Sequence, residues 1–279
     1  MSYKSLLTVL TNPQFAGPTL SQLVALASAQ DAHAEALCLG VDRTQTGYYY
    51  AGANAMILQE TLSRANAEAT EMLEAAKDIL GKSGVRWSAE EGVAQIADLG
   101  RHVAHRARFS DLVVLPRPYG ETRGAEVEPI VEAAMFEGHA PVLIVPDDRP
   151  PLAKPSTILV AWNESVEAMR AIRMALPFLK QAETVRIVVI DPPQHGPDRS
   201  DPGGLLSQML SRHGVRCEID VLSKTMPRVS EILNRHAVDT SADMIVMGAY
   251  GHSRFREAIL GGATRNMLEQ AEVPIFMAH

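Results

Sequence analysis

Residues 242–265 read ADMIVMGAYGHSRFREAILGGATR, and this stretch decides the fold. It begins with a short apolar run that predicts a buried β-strand. Glycines then occupy four positions, Gly248, Gly251, Gly261 and Gly262. Glycine lets the backbone approach a ligand closely, and a helix that follows such a loop adds its positive N-terminal end. The stretch therefore predicts an α/β fold with an anion-accepting loop at the carboxyl end of a strand.

The same pattern occurs earlier in the chain. Residues 110–115 (SDLVVL) resemble residues 242–247 (ADMIVM), and residues 140–145 (APVLIV) resemble residues 273–278 (VPIFMA). The two segments are separated by nearly the same length of chain in each copy. This agreement indicates an internal duplication.

The length of the chain also favours two domains. Its 279 residues exceed the size of a common single domain, which is about 100–200 residues. Residues 147–155 read DDRPPLAKP, a charged and proline-rich segment typical of an exposed linker. We therefore predict domains at residues 1–148 and 154–279. The first contains an additional apolar stripe at helical spacing, from Leu58 to Ile79, which predicts a long packing helix.

Apolar runs alternate with helical periodicity in both copies. In the second copy, residues 157–162 and 185–190 predict strands that are buried on both faces. Residues 215–221 alternate between apolar and polar side chains, which predicts a half-exposed strand near a sheet edge. The expected architecture is α/β, with two tandem doubly wound, Rossmann-like domains.

Composition narrows the functional classes. The net charge is −7 and aromatic residues make up 5% of the chain. The sequence therefore lacks a basic surface that would attract nucleic acids or anionic membranes. Cys38 and Cys217 belong to no CxxC pair, so neither a disulfide framework nor a metal site is indicated. Neither a GxSxG elbow nor a GxxxxGK[ST] loop occurs, and we predict no catalytic residues. A cytoplasmic protein without membrane contact is expected.

Three of the glycines follow a recognisable spacing: Gly248, two residues, Gly251, nine residues, Gly261. Together with the framing segments 242–247 and 273–275, this pattern resembles the universal stress protein family, in a tandem two-domain form. The resemblance implies a five-stranded parallel sheet in each domain and domains packed as a pseudo-dimer. It also implies a role in the stress response and, in one branch of the family, bound ATP, with Mg²⁺ as a candidate companion.

The resemblance further implies a nucleotide site in the second domain. Asn163 takes the place, after the first strand, where the family usually has Asp beside the base and ribose. Gly262 stands where the nucleotide-binding branch has Ser or Thr, and Thr264 is a partial replacement. Trp162 is expected to pack, since strand alternation points it away from Asn163. The residues implied in cofactor binding are Ala161, Asn163, Ile190, Met247, Gly248, Gly251, His252, Gly261, Gly262, Ala263 and Thr264.

The first domain departs from this pattern. Residues 116–124 read PRPYGETRG, so prolines without N–H donors replace the close-approach positions. Glu121, Glu126 and Glu128 would repel phosphate. We therefore predict that this domain is a structural partner with a degenerate nucleotide loop.

Three functional hypotheses remain open from the sequence. The first is a regulatory protein that binds ATP or a related adenine nucleotide in its second domain. The second is an interaction or scaffold protein of the same fold with an empty pocket, which the substitution at Gly262 favours. The third is a slow ATPase, for which Glu257 is the candidate loop carboxylate. A homodimer or an unidentified protein partner is compatible with the family's habit of pairing domains.

Overall fold

The computed structural model of the chain describes residues 2–43, 54–120, 123–192, 201–249 and 262–279. The chain divides into two compact units, Tyr3–Ala140 and Pro141–His279. Strands alternate with helices in both units, which confirms the predicted α/β class. None of the helices in the described ranges is both long enough and apolar enough to span a membrane.

The first unit contains four strands that pair in parallel in the order β3-β2-β1-β4. These strands are β1 (Ser5–Leu10), β2 (His33–Asp42), β3 (Arg86–Gln95) and β4 (Leu112–Pro116). The helices that follow them are α1 (Pro13–Gln30), α2 (Asn54–Lys82), α3 (Ile96–Ala107) and α4 (Val127–Phe136). The predicted long helix is α2, and its apolar stripe is buried at Ala65, Ala69, Met72 and Ala76.

The second unit contains six strands in the order β5-β10-β9-β6-β7-β8. They are β5 (Val142–Val145), β6 (Thr157–Trp162), β7 (Thr184–Ile190), β8 (Cys217–Leu222), β9 (Met244–Gly248) and β10 (Ile275–Ala278). Its helices are α5 (Val166–Met174), α6 (Leu176–Leu179), α7 (Gly204–Arg212), α8 (Val229–Asp239) and α9 (Ala263–Gln270). The strands predicted at residues 157–162 and 185–190 correspond to β6 and β7, and the half-exposed edge strand is β8.

One strand pair differs in direction from the rest. β5 pairs antiparallel with β10, with Ile144 opposite Ile275 and Leu143 opposite Phe276. By sequence β5 is the last strand of the first copy, yet its contacts group it with the second unit. The compact units therefore divide between Ala140 and Pro141, ahead of the linker that the composition indicated, and the domain limits at residues 148 and 154 stay a prediction about the repeats.

The duplicated sequence segments also form duplicated contacts. Asp111 Oδ2 accepts the backbone N–H groups of Lys4 and Ser5 at 2.6 and 3.0 Å. Asp243 Oδ2 likewise accepts the backbone N–H groups of Ser156 and Thr157, at the start of β6, at 2.7 and 2.9 Å. The repeated Asp therefore ties the start of the first strand of each copy, β1 or β6, to the strand that pairs beside it, which places Leu112 and Met244 at equivalent positions.

Capping residues set the start of the helices that follow β1 and β6. Asn12 caps α1 by accepting the N–H of Gln14 at 2.9 Å, and Pro13 occupies the first helical position. In the second unit, Ser165 caps α5 by accepting the N–H of Ala168 at 3.1 Å. Both caps lie at the carboxyl edge of the sheet, where each chain leaves its strand.

Candidate functional site

A cavity lies at the carboxyl edge of the second unit's sheet. Its volume is about 310 Å³, and it is bounded by the ends of β6, β7 and β9 and by the first turns of α5, α8 and α9. We call it the second-unit cavity. Its lining residues are Ala161, Trp162, Asn163, Ser165, Glu167, Val188, Ile190, Val229, Leu233, Met247, Gly248, Ala263 and Thr264. This is the place where open α/β sheets bind ligands.

Most of the residues predicted from the sequence meet at this cavity. Those that line it are Ala161, Asn163, Ile190, Met247, Gly248, Ala263 and Thr264. Gly262 is the N-cap of α9, directly before Ala263. Gly251, His252 and Gly261 lie outside the described residues. The binding roles of all these residues stay a prediction.

Gly248 allows β9 and α5 to approach each other closely. A Cβ atom at this position would lie 2.4 Å from the backbone nitrogen of Ala168 and 2.7 Å from the carbonyl carbon of Glu167. Both are backbone atoms, which cannot rotate out of the way. Glycine is therefore required here because any side chain would separate α5 from the sheet and widen the cavity floor.

The turn between β6 and α5 is held by its own polar groups. Asn163 Oδ1 accepts the N–H of Ser165 at 3.2 Å, and the intervening Glu164 adopts a left-handed backbone with φ of 62°. Because the amide oxygen of Asn163 serves the turn, the amide nitrogen is the group of this side chain that can donate to a ligand.

The N-terminus of α9 forms one wall of the cavity. Its N-cap, Gly262, has an extended backbone and, being glycine, has no side chain that could cap the helix. Ala263 and the nearly buried Thr264 line the cavity at this end. The positive end of the helix is therefore directed at the cavity, which favours an anionic group there.

Sequence reasoning missed several lining residues: Trp162, Ser165, Glu167, Val188, Val229 and Leu233. Two signals could have identified part of this set. Val188 lies two residues before Ile190 and so shares its side of β7, and Val229 and Leu233 have the spacing of one helix face. Trp162, the last residue of β6, also lines the cavity, and its orientation away from Asn163 stays a prediction.

The cavity is apolar on one side and polar on the other. Ala161, Val188 and Ile190 come from the strands, while Val229 and Leu233 come from α8. Among the described lining residues, the single ionisable group is the half-buried carboxylate of Glu167. The described part of the chain contains no group of three or more His, Cys, Asp or Glu residues that could hold a metal ion.

The equivalent edge of the first unit holds a different cavity, of about 390 Å³, which we call the first-unit cavity. Its lining residues are Thr11, Asn12, Pro13, Val41, Arg43, Thr61, Arg64, Ala65 and Glu68. A neighbouring space beside Phe15 and Pro116 is almost filled and retains about 10 Å³. The guanidinium of Arg123 stacks over the ring of Phe15 at 3.5 Å and accounts for part of this filling.

Ion pairs organise the first-unit edge. Arg43 Nη2 donates to Glu126 at 2.6 Å and Nη1 donates to Glu68 at 3.3 Å, while the Glu126 side chain is only 2% exposed. Burial opposes the charge of Arg43, but its bonds to Glu126 and Glu68 outweigh this and raise its pKa.

The acidic residues predicted to repel phosphate are engaged within the first unit. Glu126 pairs with Arg43, and Glu128 Oε1 accepts the hydroxyl of Tyr119 at 2.6 Å. Glu121 lies outside the described residues. At this edge, internal pairing and filling by side chains therefore distinguish the first unit from the second, because the described carboxylates are not free.

Comparison with known proteins identifies a family for the second half of the chain. Residues 155–279 match the universal stress protein family. A curated universal stress protein of Synechocystis is 24% identical over 153 residues, which is 54% of this chain and 50% of that protein. The chain therefore spans about half the length of this relative.

Solved structures share the fold over the whole chain. A universal stress protein from Archaeoglobus fulgidus has a TM-score of 0.73 at 14% identity and covers 98% of this chain and 95% of its own. A Pseudomonas aeruginosa protein described as a candidate universal stress protein has a TM-score of 0.62 at 15% identity, over 99% and 93% of the two chains. At these identities the likeness shows a shared fold.

Proposed function

Because residues 155–279 belong to the universal stress protein family, we propose that the chain is a stress-response regulatory protein whose second unit binds ATP or a related adenine nucleotide. The second-unit cavity is the proposed binding site. Occupancy of this cavity would alter the conformation of the second unit or its choice of partner.

A single observation carries the proposal: an apolar wall and a helix N-terminus face the same cavity. The side chains of Val188, Ile190 and Leu233 provide a surface against which a purine ring can pack. At the other end, the N-terminus of α9 lies at the cavity, and its positive dipole end favours phosphate oxygens there. An adenine nucleotide has this combination of a flat apolar ring and a chain of anionic groups.

Two polar side chains add hydrogen-bonding capacity between these ends. Asn163 has an amide nitrogen that can donate to the base or ribose. Thr264 lies in the first turn of α9, and its hydroxyl supplies a group of the kind that Gly262 lacks. One neutral hydrogen bond is worth about 0.5–1.5 kcal/mol, so the glycine at position 262 weakens a nucleotide site without abolishing it.

Mg²⁺ fits this site as a companion of the nucleotide. The described lining includes one acidic residue, Glu167, whose backbone lies beside Gly248 at the end of β9. Mg²⁺ is commonly held by one or two carboxylates together with substrate phosphates and water, so a single carboxylate is a suitable donor set. When bound, the ion would neutralise phosphate charge that Glu167 otherwise repels.

The test is calorimetric titration of ATP, with Mg²⁺, into the intact protein and into Ala263→Glu. Ala263 is exposed and stands at the first position of α9. A glutamate there stabilises the helix through the helix dipole but places a negative charge where phosphate is expected. We expect ATP affinity to fall about tenfold or more, while adenosine affinity changes little.

Ala263→Gln is the matched control, since it adds nearly the same bulk without charge. It should retain most of the ATP affinity. Absence of ATP binding by the folded wild-type protein, or equal binding by the wild type and Ala263→Glu, would overturn the proposal. The interaction-protein hypothesis, which the glycine at position 262 favours, would then replace it.

A further inference from the structure

The first-unit cavity has the location of a ligand site but not the lining of a nucleotide site. It lies where β1 and β2 end, under the first half of α2, and its volume of about 390 Å³ is suitable for a small molecule. Its wall is mainly polar: Thr11, Asn12 and Thr61 contribute hydroxyl and amide groups, and Thr11 is only 6% exposed. A polar cleft at this edge of a parallel sheet is a position where ligands bind.

Guanidinium groups outnumber carboxylates among the described residues that line this cavity, and Glu126, which pairs with Arg43, is not one of the lining residues. Arg43 and Arg64 contribute two guanidinium groups, whereas Glu68 contributes one carboxylate. The second-unit cavity has the opposite balance, with Glu167 as the single ionisable group of its described lining. The two cavities therefore suit ligands of different charge.

Arg43 is held in place from behind the cavity. Its bond to the buried Glu126 at 2.6 Å fixes one side of the guanidinium, and its contact with Glu68 at 3.3 Å orients the other. Holding a guanidinium in one orientation reduces the entropy lost when it binds an anion.

Arg64 is more loosely held. Its side chain is 81% exposed, and its Nε donates to Glu68 at 3.1 Å within one turn of α2. An exposed pair of this kind is worth about 0–1 kcal/mol, so a ligand can replace Glu68 as the partner of Arg64 at little cost.

We propose that the first-unit cavity binds a small organic anion through the guanidinium groups of Arg43 and Arg64, with Thr11 and Asn12 as neutral hydrogen-bonding partners. The recognised group is an oxyanion, either a phosphate or a carboxylate, since both match the guanidinium fork. On this inference the first unit is a second binding module, with a ligand that differs from that of the second-unit cavity.

The experiment is a titration of the intact, isotope-labelled protein with inorganic phosphate and, separately, with acetate, at constant ionic strength. Backbone amide signals in NMR spectra report the site of binding. We expect saturable shifts at Thr11, Arg43, Arg64 and Glu68 with at least one probe, and the tighter probe identifies the oxyanion. Shifts that rise linearly with either probe, or that occur equally with chloride, would overturn the proposal.

Two variants change the cavity charge in opposite directions. Arg64→Gln should weaken binding about tenfold, because one charged hydrogen-bonding partner is lost. Glu68→Gln should strengthen it, because the carboxylate that Arg43 and Arg64 share becomes neutral, while Glu126 still pairs with Arg43. Arg101→Gln is the matched control, since Arg101 is an exposed helical arginine paired with Asp98 on α3 and does not line the cavity.

All three variants change exposed or partly exposed side chains, and thermal unfolding verifies that each remains folded. Equal affinity in the wild type and Arg64→Gln would contradict the proposed site. Saturable phosphate shifts confined to Ala263 and Thr264, and lost in Ala263→Glu, would also contradict it, because they would assign the anion to the second-unit cavity.

Discussion

The two units place cavities at equivalent sheet edges, yet the side chains that meet there differ in kind. In the second unit, Gly248 ends β9 and lets α5 approach, and the cavity has an apolar wall. In the first unit, Pro116 stands at the equivalent place after Asp111, and the adjacent space is filled around Arg123 and Glu126. A duplicated fold thus preserves the location of a site while the side chains decide what the site accepts.

The difference is electrostatic as well as steric. The first-unit edge buries a carboxylate against an arginine, which is favourable only while both partners are present. The second-unit edge contains the half-buried Glu167, which is one of the residues lining the cavity. In the first unit a buried carboxylate is therefore paired with an arginine, whereas Glu167 has no ion-pair partner among the described residues of the second unit.

The largest effect is expected from removing Arg43. Arg43→Met leaves Glu126 buried without its partner, which should destabilise the protein by about 3 kcal/mol. Urea unfolding at neutral pH measures this loss. The double variant Arg43→Met/Glu126→Gln should recover most of it, because the buried charge is removed as well. A loss below about 0.5 kcal/mol in the single variant would contradict the contrast between the two units, since it would mean that the first-unit pairing contributes little to stability.

The second effect concerns close packing in the second unit. Gly248→Ala should cost about 1–3 kcal/mol, because the new methyl group meets the backbone of Glu167 and Ala168. It should also weaken ATP binding as α5 shifts. Gly92→Ala is the control, since a Cβ there meets only the flexible end of Leu39 at 3.5 Å. Thermal unfolding compares the two, and equal costs would contradict the role assigned to Gly248.

The smallest effect should come from neutralising Glu167. Glu167→Gln should tighten ATP binding in the absence of Mg²⁺ by about three- to tenfold, because a negative charge beside the phosphates is removed. The gain in affinity on adding Mg²⁺ should shrink accordingly.

Glu183→Gln serves as the control, since Glu183 is exposed and precedes β7 at the opposite edge of the sheet. Calorimetry with and without a chelator provides the measurement, and an unchanged Mg²⁺ dependence in Glu167→Gln would show that this carboxylate does not sense the phosphates.

The local sequence pattern was sufficient to predict many of the strands in the second unit. The apolar runs that became β6 and β7 are short, and a glycine ends β9, so the ends of these strands could be predicted from neighbouring residues. Because parallel strands present their carboxyl ends at one edge, residues after different strands were expected to meet there, and Asn163 and Gly248 do line one cavity.

Contacts between residues far apart in sequence could not be predicted from the local pattern. Arg43 and Glu126 are 83 residues apart, and the sequence predicted only that Glu126 would repel phosphate. Val229 and Leu233 line the cavity because α8 packs beside the strand ends. Helical spacing alone does not specify where a helix packs. The antiparallel pairing of β5 with β10 was likewise absent from the expectation of parallel sheets.

The α/β class, most strand positions and the resemblance of the glycine-rich segment to a known family could be predicted from the amino-acid sequence. These features depend on periodicity and on residues close along the chain, where backbone geometry and burial leave few alternatives. Only the tertiary structure decided which charges are paired and which cavity is apolar. Those properties arise when distant side chains meet at a sheet edge, and their free energies depend on partners and burial that no local stretch contains.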